Sequence, residues 1–304
     1  MDGSAPWRQT SWDWRAAGNF ALGGAGGALA FFAAGLTFEG GGHVWAAFLV
    51  APLLIAAGLA SIKAEVRAEI DPPQRVLLQF FKPQTSWLAR QALIAPVLGL
   101  AALVAVVLPF GFVLLLLLLA AGGFLYAQAR SLSDSDAATP WRDRRVVPFV
   151  LGTAAAEGTA LLILVATLTF NDGAEAALRL AILLTALRWP IWTIYRDAVA
   201  NDVPADGKAD FQATFAGTRV AAVLWAPFAL IALAVLVPSF GFPLRLLAGI
   251  GVLASGLWLK YLIFTEAAPK QSFASPGVPT HAAPAPAQPA EPVTSSPKAE
   301  EPPA

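Results

Sequence analysis

The chain has 304 residues, of which 57% are hydrophobic and 13% charged, and its formal net charge is zero. A soluble domain of this size carries about twice that charged fraction, so a bilayer is the natural solvent for this composition. Balanced charge gives no electrostatic footprint for nucleic acid. The absence of cysteine excludes disulfides, thiolate zinc sites and cysteine-held iron–sulfur clusters within the chain.

Residues 1–16 are polar and rich in Trp, and the apolar run that follows is of full spanning length, so a cytoplasmic N-terminal segment is expected rather than a cleaved signal. A hydrocarbon core of about 30 Å takes about 20 apolar residues per helix. That ruler predicts an all-α membrane protein with about eight transmembrane helices in residues 17–265. The spans fall near 17–37, 44–62, 90–108, 110–128, 147–170, 175–195, 217–237 and 243–264.

The first span carries Asn19 and the run Gly23, Gly24, Gly26 and Gly27, in which Gly23 and Gly27 have the spacing that lets another helix approach closely. The amide of Asn19 suits either a neighbouring helix or a quinone carbonyl. His43 follows in a Gly-rich outer loop and reads as a surface residue. His281 lies in the tail, so the two histidines do not form a pair that could hold a membrane haem.

The connector from Lys63 to Gln91 mixes Glu69, Arg75, Lys82 and Arg90 with Phe80, Phe81 and Trp87 directly at the membrane surface. A plain interfacial connector is one reading of it. Farther on, Pro109-Phe110-Gly111-Phe112 closes the third and fourth helices. A similar Pro238-Ser239-Phe240-Gly241-Phe242-Pro243 closes the seventh and eighth, which implies two four-helix bundles in tandem.

Glu157 and Arg188 lie well inside the fifth and sixth spans. A buried unpaired charge costs several kcal/mol, so an ion pair between them is expected, either as glue between helices or as part of a proton or substrate path.

Lys and Arg fall unevenly across the two sides. Arg8 and Arg15; Lys63, Arg67, Arg75, Lys82 and Arg90; Arg130, Arg142, Arg144 and Arg145; Arg196, Lys208 and Arg219; and Lys260, Lys270 and Lys298 assign seventeen of the twenty to one side. The positive-inside rule makes that side cytoplasmic, with both termini in. Trp7, Trp12, Trp14, Trp45, Trp87, Trp141, Trp192 and Trp258 fall near the expected span ends, as an aromatic belt would. Residues 266–304 hold ten of the 24 prolines among Ala, Ser and Glu, which predicts a disordered cytoplasmic tail.

Several of these stretches together resemble the NrfD/DmsC-type membrane anchor subunits of molybdopterin oxidoreductases. The stretches are Trp12 to Phe20 with its glycine run; Glu69 to Arg75, Phe81, Pro83, Thr85-Ser86-Trp87 and Arg90; Tyr126; Pro140-Trp141-Arg142; Ala156-Glu157-Gly158; Leu187-Arg188-Trp189; and Tyr195-Arg196. The likeness covers about residues 12–196 and is greatest to the phenylacetyl-CoA:acceptor oxidoreductase and DMSO reductase anchors. It implies a bacterial inner-membrane subunit that passes electrons between the quinone pool and an iron–sulfur subunit docked to a molybdopterin catalytic subunit.

That pattern places Glu69, Arg75 and Gln91 by a quinone pocket; Trp87 beside them and the amide of Asn19 are expected to bind the quinone too, with Glu69 or Glu157 handling protons unless that role has moved. Two positions depart from it. Gln91 stands where a glutamate is usual, and Glu69 where DMSO reductase anchors have a histidine. A secondary transporter, and a docking anchor that binds no quinone, stand as alternatives.

Overall fold

The computed structural model describes residues 14–62, 73–78, 80–82, 85–133, 143–202 and 208–263. The first spanning rod is built of α1 (Trp14–Gly18), a π-helical turn (Asn19–Gly23) and α2 (Gly24–Phe38). Then come α3 (Trp45–Ser61), α4 (Pro73–Leu78), α5 (Trp87–Val107) and α6 (Gly111–Ser133). The second half holds α7 (Val146–Leu168), α8 (Gly173–Asp202), α9 (Lys208–Phe215), α10 (Thr218–Leu236), a short 3-10 turn (Pro238–Phe240) and α11 (Gly241–Tyr261). Among the described residues no strand occurs.

Seven helices are long and apolar enough to cross a membrane, and α3 is a shorter apolar helix of 17 residues, at the lower end of the spanning range. Large apolar side chains stay exposed along the outward faces, among them Leu100, Leu119, Leu183, Ile194 and Leu236. In water such a surface would aggregate, whereas lipid covers it at no cost.

The helices pack as two rings of four. In one, α2 lies against α3, α3 against α5, α5 against α6, and α6 back against α2. In the other, α7, α8, α10 and α11 close in the same order. The expected tandem bundles are therefore present. In each ring the second and third spanning helices carry an internal proline, Pro52 and Pro96 in the first and Pro190 and Pro227 in the second. The rings join along α2 and α7, with α6 also touching α7.

Small residues make that seam possible. A Cβ at Gly158 of α7 would run into Ala28 and the backbone of Leu29. In the first rod Gly23 and Gly27 take the ring of Phe124, and Gly26 takes the backbone of α3 at Ala51, so the packing reading of these glycines holds.

Four expectations need correction. The sixth helix runs to Asp202 rather than ending near residue 195, giving 30 residues and a length of about 45 Å. Its extra turns put Trp192 mid-helix, buried with Phe149 (ring centroids 5.3 Å) and Phe215 (5.8 Å) in the second ring's aromatic core, not in an interfacial belt. Lys260, counted above with the cytoplasmic cations, lies inside α11 and is buried. His43 is half-buried, with Nε2 3.0 Å from the carbonyl of Ala105, rather than a free surface residue.

Because α2 and α7 touch backbone to backbone at Gly158, Gly158→Val should destabilise the fold by about 1–3 kcal/mol through overpacking. Gly35→Ala, whose nearest neighbour is 4.0 Å away, should be neutral. Thermal unfolding in detergent separates the two, and equal melting of both variants would contradict this seam.

Candidate functional site

The first rod departs from α-helical geometry at Asn19–Gly23. A π turn widens the helix and shifts its hydrogen bonds by one residue, which leaves carbonyls available to other donors. Two side chains use them. Gln128 of α6 donates from Nε2 to the carbonyl of Asn19 (2.9 Å), and Lys260 of α11 donates from Nζ to the carbonyl of Phe20 (2.8 Å). One donor comes from each four-helix ring.

Glycine clears the space around the turn. A methyl at Gly24 would stand 3.0 Å from Gln128 Oε1 and 3.2 Å from Lys260 Nζ. A Cβ at Gly58 of α3 would stand 2.7 Å from the backbone nitrogen of Gly23.

Lys260 has a second partner. Its Nζ lies 2.5 Å from Oε2 of Glu157, in an ion pair whose side chains are 2% and 0% exposed. The expected Glu157–Arg188 bridge is thus corrected, since the direct partner of Glu157 is the lysine of the eighth spanning helix. Arg188 is equally buried but spends Nη2 on Ser255 Oγ (2.7 Å), which in turn donates to the carbonyl of Val252 (2.7 Å). Arg188 acts on Glu157 electrostatically, without a direct bridge. The close fit depends on Gly256, because a Cβ there would collide with the Glu157 carboxylate.

Arg188 was expected and is part of the group, while Gln128, Ser255 and Lys260 were not singled out from the sequence. Lys260 carried a readable signal. It is a lysine inside an apolar run of spanning length, and such residues face a partner rather than lipid.

The polar groups are not all satisfied. Asn19 Oδ1, Gln128 Oε1, Glu157 Oε1, and Nε and Nη1 of Arg188 are buried without hydrogen-bond partners among the described residues. The hydroxyls of Thr153 and Thr185, one turn from Glu157 and Arg188 on their own helices, are in the same state. Buried polar atoms of this kind are costly in isolation, and their clustering marks a place built for something besides packing.

The other residues expected to bind quinone lie elsewhere. Trp87 opens α5, whose N-cap is Ser86, with Oγ accepting from the amide of Ala89 (3.2 Å). The Trp87 ring meets Tyr126 edge-on (5.4 Å), with the Arg90 guanidinium 4.2 Å and that of Arg130 5.5 Å from its centroid. Tyr126 and Arg130 share one face of α6, and Gln128 occupies the opposite face, about one helix diameter away. The Trp87 cluster and the Asn19 cluster are therefore separated by α6.

One turn beyond Trp87, Gln91 is fully buried with neither amide atom partnered. Glu69 lies outside the described residues, as does the Arg75 side chain, whose backbone belongs to α4. No cluster of His, Cys, Asp or Glu that could hold a metal occurs among the described residues.

No family model matches the chain, and no curated protein matches its sequence.

Removing one member of a buried pair leaves an uncompensated charge and typically costs about 3–5 kcal/mol. Lys260→Met should therefore lower the melting temperature strongly. The double variant Glu157→Gln with Lys260→Met should recover much of that loss. A double-mutant cycle followed by thermal unfolding checks this, and additive losses would show that the two side chains do not act as a pair.

Proposed function

We propose that this chain is a quinone-reactive membrane anchor of a bacterial inner-membrane oxidoreductase. It exchanges electrons between the quinone pool and a docked iron–sulfur subunit, which serves a molybdopterin catalytic subunit. The observation that supports this best is the unmet hydrogen-bonding capacity of Asn19, Gln91, Glu157 and Arg188, all fully buried in the helix bundle. A quinone is a flat apolar ring with two carbonyl acceptors that become hydroxyl donors on reduction. Buried amides and a carboxylate in an apolar surround are the kind of lining such a molecule takes.

Two-electron reduction also consumes two protons, so a group able to exchange them must reach the ring. With Gln91 in place of a carboxylate, Glu157 on α7 is the described residue fitted to that task. The chain has no cysteine and no paired histidine, so electrons leaving the quinone must pass to a partner that holds the redox centres. The choice of that partner rests on the resemblance of residues 12–196 described above.

One observation favours a second reading. A helix irregularity and a buried ion group at the seam of two similar four-helix units is also how secondary transporters build their substrate sites. The two readings part experimentally. Photolabelling with an azidoquinone in vesicles should be saturable and should map to peptides holding Asn19 or Gln91. Gln91→Leu should weaken it about tenfold, the equivalent of one lost buried hydrogen bond. Absence of saturable labelling, together with solute-driven proton uptake into the vesicles, would replace the quinone reading with the transporter.

A further inference from the structure

Beyond the end of α7, the turn between α7 and α8 meets the start of α11 around a cleft of about 560 Å3, lined by Thr167, Phe170, Asn171, Asp172, Glu175 and Arg245 among others. The turn that forms one wall is tightly specified. Phe170 takes a left-handed φ of 52°, and Asn171 folds back so that Oδ1 accepts from the amide of Gly173 (2.8 Å) while Nδ2 donates to the carbonyl of His43 (3.3 Å). Positive φ at a bulky residue is costly, so this wall is held by the surrounding fold.

The charges in the cleft are arranged unusually. Glu175 is engaged by Arg179 at 2.5 Å. Asp172 and Arg245 face the same cleft with opposite charges, yet neither has an ion-pair partner among the described residues, and they do not bridge to each other. Arg245 Nε is buried without a partner. Thr167, only 4% exposed, lines the cleft with its hydroxyl also unpartnered. Beside them Phe170 and Phe242 form a near-parallel pair with centroids 6.1 Å apart, and Phe170 is 85% exposed. Separated opposite charges next to an exposed apolar shelf, at the end of spanning helices, match a headgroup that carries both signs and continues into acyl chain.

We propose that this cleft binds the headgroup of a zwitterionic phospholipid with a primary ammonium, of the phosphatidylethanolamine class. Arg245 and the Thr167 hydroxyl hold the phosphate, Asp172 takes the ammonium, and Phe170 with Phe242 supports the glycerol end. Guanidinium is the side chain suited to a phosphate and carboxylate to an N–H donor, and a bound lipid at this depth sits where headgroups meet hydrocarbon.

The full chain, purified from mixed vesicles of equimolar phosphatidylethanolamine, phosphatidylcholine and phosphatidylglycerol, is analysed for retained lipid by native mass spectrometry. Phosphatidylethanolamine should exceed each of the others at least fivefold. Arg245→Gln should abolish retention of all three, and Arg245→Lys should keep part of it. Asp172→Asn should remove the preference for ethanolamine over choline while leaving phosphate-dependent retention. Equal retention of the three lipids, or no effect of Arg245→Gln, would overturn the assignment. Displacement of the lipid by soluble glycerophosphoethanolamine at similar concentration would assign the cleft to a soluble zwitterion instead and would also overturn it. The outcome is independent of quinone binding, since Asp172 lies beyond the end of α7, whose midpoint is Glu157, and Arg245 lies in the first turns of α11, about 22 Å along that helix from Lys260.

Discussion

The ammonium of Lys260 is the point on which this architecture turns. It reaches from α11 to the carboxylate of Glu157 on α7 and to the carbonyl of Phe20 on the first rod. Those partners belong to both four-helix rings, so a single side chain ties the seam between them. Buried charge in a bilayer protein is expensive unless it is paired and hydrogen-bonded, and Lys260 obtains both kinds of partner at one place. The second of them is a carbonyl of the π turn. Gln128 repeats the device from the other ring, one residue earlier on the same turn.

Packing and polarity at the seam depend on each other. Gly158, Gly58, Gly24 and Gly256 each stand where a Cβ would strike a neighbouring helix or a polar side chain of the cluster. Within a membrane the hydrophobic effect does not drive helices together, and close approach through small residues does. The same small residues that bring α2 and α7 into contact also expel lipid from around Glu157, Lys260 and Arg188. The result is a buried cluster with several unused donors and acceptors, in the core of a bundle whose spanning helices turn many large apolar side chains outward.

The two ends of the bundle differ in chemistry. At the end where the chain begins, buried ions and amides sit deep between helices, with Trp87, Arg90 and Arg130 stacked on the far side of α6. At the opposite end the charges of Asp172 and Arg245 stay apart around an open cleft. A proton-handling role suits the first arrangement and a lipid contact the second, and the apolar stretch of α7 from Ala160 to Ala166 lies between them.

Hydropathy, length and the repeated Pro-Phe-Gly-Phe type hairpins were enough for the all-α membrane class and the tandem halves, because these are local features; of the eight expected spans, seven described helices reach spanning length and α3 is shorter. Asn19, Glu157 and Arg188 were also legible, since a polar residue inside an apolar run is conspicuous wherever it occurs. The partner of Glu157 was not. Arg188 was the nearest candidate along the chain, but the ring closure brings α11 against α7, so a lysine 103 residues away makes the contact. Trp192 is a related case, because nothing local shows that α8 continues past residue 195 and carries it into an aromatic core. The π turn and the unpaired charges around Arg245 are likewise products of helix–helix packing. Sequence states which side chains are costly to bury, and only the tertiary fold decides which of them meet.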